Sequence, residues 1–186
     1  CLCDQDDIWH QSKLKIIIER YKSKTDKKPL LIHSDLSLID AKGKLLENSH
    51  NKLINFQKNY VNKNSALYYN PVPGCAMSIN KALADKISYS KFNVMHDWWI
   101  LLSAMHENAD LIYIESPLVK YRQHSKNTLG YKKYNILILV LRLFFKFPSY
   151  IKNVKKAYAQ SKQFYYQPGL KYFVKLVFFQ LRMNLR

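Results

Sequence analysis

Three groups of polar residues in this sequence have types and spacings that can do chemistry. Asp4, Asp6 and Asp7 follow a short apolar start, Cys1-Leu2-Cys3. Carboxylates this close repel one another unless a cation neutralises them, and hard divalent ions such as Mn2+ or Mg2+ take oxygen ligands. The same three residues also suit a solvated acidic turn or the anionic first turn of a helix. His96 and Asp97 open an apolar stretch and are backed by Trp98 and Trp99. A carboxylate held there, partly out of water, can act as a general base; it can equally cap a helix while the two Trp fill core. Arg122 and His124 lie two apart on an extended run, so they face the same side. There Arg suits a diphosphate and His a metal, although a basic strand edge has the same spacing.

The elements that must position these groups read as alternating strands and helices. The start, residues 1–3, reads as the end of a buried strand that delivers the carboxylates. Residues 9–21 repeat Leu14, Ile17, Ile18 and Tyr21 at helical spacing. Residues 30–40 predict one or two short strands closed by the turn at Ala41-Lys42-Gly43-Lys44. Residues 47–65 predict a short helix with loops. Residues 72–79 predict a buried strand, Asn80 then caps a helix over 81–87, and a further helix starts at His96. Residues 111–114 and 118–124 read as two strands separated by Pro117. Beyond Gly130, residues 136–147 form an apolar run stopped by Pro148, followed by basic helices over 152–164 and 170–185. Each apolar run is shorter than the ~20 residues needed to cross a bilayer and carries internal Lys or Arg.

Charge divides the chain in the same place. Of 30 Lys and Arg, half lie beyond Glu115, whereas all 13 Asp and Glu lie at or before it. A near-neutral globular part is therefore followed by a purely cationic one, which implies a polyanionic partner. The apolar runs are too long for a face that tracks phosphates, so the expected partner is an anionic membrane surface and not nucleic acid. Three cysteines, Cys1, Cys3 and Cys75, form neither a disulfide framework nor a zinc motif. A reduced, cytoplasmic setting at the inner face of the cell membrane is the expectation.

Six segments occur in an order that resembles the family 2 glycosyltransferases of the GT-A fold, in their rhamnosyltransferase-like branch. They are Leu2-Cys3-Asp4-Gln5-Asp6-Asp7-Ile8-Trp9, His33-Ser34-Asp35-Leu36, Leu38-Ile39-Asp40 with Gly43-Lys44, Pro73-Gly74-Cys75-Ala76-Met77, His96-Asp97-Trp98-Trp99, and Pro117 to His124 with Asn127. The resemblance implies an α/β fold: the C-terminal, metal- and acceptor-binding half of a GT-A domain with a mixed sheet over residues 1–130, then basic amphipathic helices over 131–186. It implies inverting transfer of a sugar from a nucleotide-diphosphate donor to a glycan or a polyprenyl-diphosphate-linked acceptor. Asp4-Gln5-Asp6 would be the family's Asp-x-Asp motif, with Asp6 and Asp4 at the Mn2+ or Mg2+ ion together with His124. Asp7 and Arg122 would meet the donor, and Asp97 would be the catalytic base. Gly74, Cys75, His96, Trp98 and Trp99 would line the acceptor side. The family's nucleotide-binding half normally precedes the Asp-x-Asp motif. The expectation is therefore a truncated chain, inactive alone, with a separately encoded first half as a candidate partner. The alternative is a non-catalytic, membrane-associated remnant.

Overall fold

Ten consecutive residues, Leu30–Ile39, form strand β2, and every one of them is buried. Such a run is stable only with both faces covered and both edges paired. The computed structural model, described over residues 1–24, 27–54, 56, 61–88, 95–123, 147–165 and 168–184, shows how this is achieved. Strands β1 (Ile8–Trp9), β3 (Leu45–Glu47), β4 (Met77–Ile79) and β5 (Asp110–Arg122) complete a five-stranded mixed sheet of order β1-β5-β2-β3, with β4 also on β2. β5 runs parallel to β2, and the other pairings are antiparallel.

Helix α1 (Lys13–Lys22) covers one face of the sheet, where Ile17 packs with Leu30, Ile32, Ile114 and Leu118. Short helices α2 (His50–Leu53), α3 (Lys63–Ala66) and α4 (Lys81–Ala84) precede the apolar helix α5 (His96–His106). Leu31 and Met77 on the second face pack with Ile100, Leu101, Leu102, Ala104 and Met105 of α5. The overall class is thus mixed α/β, in line with the alternation read from the sequence.

Helices α6 (Phe147–Ser161) and α7 (Gly169–Asn184) join this second core. Val154, Ala157, Tyr172 and Leu176 belong to the same apolar cluster as Leu31 and Leu101. The Tyr172 hydroxyl donates to the Leu67 carbonyl (3.0 Å), that of Tyr165 donates to the Met105 carbonyl (3.2 Å), and Phe164 packs edge-on to Trp99 with ring centres 4.8 Å apart. The basic helices are therefore built into the fold, not appended to it. Among the described residues no helix is long and apolar enough to cross a membrane. The apolar run over 136–146 and the 130/131 boundary lie outside the described residues.

Four local expectations are corrected. Residues 1–3 are not a strand: their tie to the sheet is one backbone hydrogen bond, from the Leu2 N–H to the Met77 carbonyl (3.0 Å). Helix α1 begins at Lys13, because Ile8 and Trp9 pair with β5 instead. Residues 72–76 hold a 3-10 turn, Gly74–Ala76, and strand β4 starts only at Met77. Finally, Pro117 does not divide β5. It sits opposite Asp35, where the parallel register shifts, so its missing N–H costs the ladder little. The Ala41–Lys44 turn is as expected, with Gly43 at φ 87°, a conformation that glycine adopts without strain.

If α7 is fixed by the contact of Tyr172, which is 1% exposed, Tyr172→Phe leaves the Leu67 carbonyl without its donor. The expected loss is about 1–2 kcal/mol of unfolding free energy, measured by urea denaturation. A midpoint equal to that of the wild type would show that the helix is not held there.

Candidate functional site

The 3-10 turn Gly74–Ala76 lies between the acidic start of the chain and the start of α5. Asp97, in the first turn of α5, is 4% exposed. Its Oδ2 accepts from the Gly74 N–H (3.1 Å) and its Oδ1 from the Trp98 N–H (2.7 Å). The N-cap position belongs to Met95, so Asp97 is not the cap residue. Burial pushes the Asp97 carboxyl above its ordinary range, against the pull of the Trp98 N–H, His96 and the Gly74 N–H. The turn approaches so closely that a Cβ on Gly74 would lie 3.0 Å from His96 Nε2 and 3.3 Å from Asp97 Cβ. A side chain there would press on Asp97 and require His96 to move aside, so the position is tight for reasons of space and not of backbone strain.

On the other side of the turn, ligand atoms of Asp4, Asp7 and Cys75 lie within 4.8 Å of one another. Asp7 Oδ1 accepts from the Arg122 N–H (3.0 Å), whereas its Oδ2 is buried with no hydrogen bond. Burial raises the Asp7 carboxyl; Arg122 and Cys75 oppose this, and Asp4 and Asp6 add to it. Burial also drives the Cys75 thiol well above its usual range, so it stays protonated and is a poor partner for a hard cation. The carboxyl oxygens of Asp4 and Asp7 are close enough to share one cation, a match of geometry alone.

Arg122, at the end of β5, ties this loop down. Its Nε donates to the Asp6 carbonyl (2.9 Å), and its Nη1 donates to the carbonyls of Asp40 (3.2 Å) and Ala41 (3.0 Å). The structure thus brings Asp4, Asp7, Arg122, Cys75, Gly74, His96 and Asp97 into one continuous neighbourhood. Asp6 contributes its backbone to Arg122 and stands outside the carboxylate group that Asp4 and Asp7 make. His124 and Asn127 lie outside the described residues. His96 is exposed and Trp98 half-buried, its indole N–H donating to the Ala66 carbonyl (2.6 Å). Trp99, 3% exposed and packed on Phe164, supports the site from within the core and offers no face to an acceptor.

Sequence reasoning missed Lys13. It is 1% exposed, and its ammonium donates to the Cys75 carbonyl (2.9 Å) and lies 4.0 Å from the Trp9 ring centre. The signal was available: Lys13, Ile17 and Tyr21 share one helical stripe, and Ile17 is its buried member.

No protein-family model matches the chain, and comparison with curated proteins and with solved structures gives no match.

The raised Asp7 carboxyl sets a pH test. A carboxyl raised in the folded state binds its proton more tightly there than in the unfolded chain. Stability therefore falls as pH rises from the ordinary carboxylate range through the raised value, and the penalty is complete above it. Without metal, Asp7→Asn is expected to melt about 2–4 °C higher than wild type at pH 7. The gap should close as the pH drops towards about 4, where the wild-type carboxyl is neutral. A variant less stable than wild type at every pH would show that Asp7 is not a strained carboxylate.

Proposed function

We propose that this chain carries the metal- and acceptor-binding part of an inverting sugar transferase of GT-A type. It would use a nucleotide-diphosphate sugar and a glycan or polyprenyl-diphosphate-linked acceptor at the inner face of the cell membrane. The observation that carries this reading is the turn Gly74–Ala76, which has a carboxylate group on one side and a buried, amide-held carboxylate on the other.

The chemistry assigns each side a task. Asp97, made more basic by burial, would accept the proton of the acceptor hydroxyl as that hydroxyl attacks the sugar. A single base on one side suits one displacement with inversion. Asp4 and Asp7 would hold the divalent ion, which when bound would neutralise charge on the departing diphosphate. Arg122, fixed by three backbone carbonyls, keeps the loop with those carboxylates in place.

The test is Mn2+ binding followed by electron paramagnetic resonance. The wild-type chain should bind the ion, Asp4→Asn and Asp7→Asn should each weaken binding at least about tenfold, and Asp97→Asn should leave it unchanged. Absence of Mn2+ binding to the wild type would remove the transferase reading.

Membrane contact is supported by the outward side of α7. Leu170 (79% exposed), Phe173 (37%) and Val174 (59%) project there, with Lys171 exposed beside them, while Tyr172 and Leu176 face the core. Exposed Lys152, Lys155 and Lys156 on α6 add positive charge. Because these helices are part of the core, point variants test the idea better than truncation. Leu170→Asp with Val174→Glu should leave the melting temperature close to wild type and cut co-sedimentation with phosphatidylglycerol vesicles at least about tenfold. Undiminished vesicle binding would exclude this face.

A further inference from the structure

We propose that Lys13 is a positioning residue, whose grip on the Cys75 carbonyl aims the neighbouring Gly74 amide at Asp97. The proposal concerns the geometry of the site and rests on the transferase reading only for its catalytic consequence.

Lys13 is in an adverse place. An ammonium in the first turn of a helix opposes the helix dipole, and one that is 1% exposed has also given up its water. A Met or Leu would fill the same space without either cost, and α1 already has exposed Lys15 and Lys22 for solubility. What Lys13 touches is the Trp9 ring and the backbone of the turn.

Four hydrogen bonds hold the backbone of that turn. The Ala76 N–H closes on the Pro73 carbonyl (3.1 Å), and the Met77 N–H donates to the Gly74 carbonyl. The Cys75 carbonyl takes the Lys13 ammonium, and the adjoining Gly74 N–H donates to the buried Asp97 Oδ2. Lys13 belongs to α1, and Asp97 to α5 on the opposite face of the sheet. The turn is thus held from both sides, and the distance between the Asp4/Asp7 group and Asp97 is set by how firmly it is held. Release of the Cys75 carbonyl would let the turn rotate and weaken the Gly74 amide, which favours the ionised form of Asp97 against its burial.

The experiment compares wild type, Lys13→Met, Lys13→Arg and, as a packing control one turn further along α1, Ile17→Ala. Two signals are read by nuclear magnetic resonance: hydrogen exchange at the Gly74 amide, and titration of the Asp97 side-chain carboxyl. In Lys13→Met, Gly74 should exchange at least about tenfold faster, and Asp97 should take its proton about tenfold more readily. Lys13→Arg, which keeps a charged donor, should move both signals less. The Ile17→Ala variant, although destabilised, should move neither relative to its neighbours. Should Lys13→Met fail to fold, Lys13→Arg carries the test: intermediate shifts at Gly74 and Asp97 support the proposal. Unchanged signals in the folded Lys13 variants, or equal changes in Ile17→Ala, overturn it. If the wild type binds no Mn2+ while the Lys13 shifts are seen, the positioning role stands and the transferase reading falls.

Discussion

Everything in this fold depends on a strand that cannot meet water. β2 presents ten buried residues in a row, so a helix must cover each of its faces and strands must occupy both of its edges. The parallel partner β5 does most of this, and its length follows from that of β2. It must run on past Pro117 to reach Ile39, which it does by shifting register opposite Asp35 and Ser37. That continuation delivers Arg122 to the acidic loop. Had β5 stopped at the proline, the loop that carries Asp4 and Asp7 would have no anchor.

Three carboxylates are withdrawn from solvent to different degrees, and the way each is satisfied separates structure from chemistry. Asp35 is saturated: Oδ1 takes the N–H groups of Leu36 (2.7 Å) and Asn51 (3.0 Å), and Oδ2 takes the Ser49 hydroxyl. It fixes α2 and has nothing left to offer. Asp97 takes two backbone donors and is still pushed up by burial, the state of a carboxylate able to accept a proton. Asp7 has one oxygen on the Arg122 amide and the other buried beside the weakly donating Cys75 thiol, the least well satisfied of the three.

Much of this was legible in the sequence because it is local. The apolar run of α5, the cap at Asn80 and the turn at Gly43 depend on neighbours a few residues away, and all three are present. What was not legible depends on distant partners. Asn80 accepts from Leu83, as expected, but it also accepts from Leu30, a contact no local pattern contains. Residues 1–3 have strand-like composition, yet a strand needs a paired neighbour, and one backbone hydrogen bond to Met77 and a Cys1–Ser78 side-chain contact do not make a ladder. The stripe of Lys13, Ile17 and Tyr21 places Lys13 on the inner side of α1 but does not name its partner. Its burial is decided by a carbonyl 62 positions away. The candidate site was read as separate polar clusters, and which carboxylates lie close together follows from the path of the loop. Asp7, not Asp6, stands beside Asp4 once Arg122 has taken the Asp6 carbonyl.

The basic helices show why charge and burial must be weighed together. Fifteen cations without an acidic residue in the last part of the chain would by themselves suggest a solvated tail. Yet α6 and α7 give Val154, Ala157, Tyr172 and Leu176 to the main core, and Phe164, just after α6, packs on Trp99 of the helix that carries Asp97. The segment that follows α6 is also fixed to α5, through Tyr165 on the Met105 carbonyl and Phe164 on Trp99. Close-packed interiors transmit displacements instead of absorbing them. The cationic surface and the buried carboxylate are thus two ends of one packed unit, and neither can be removed without disturbing the other.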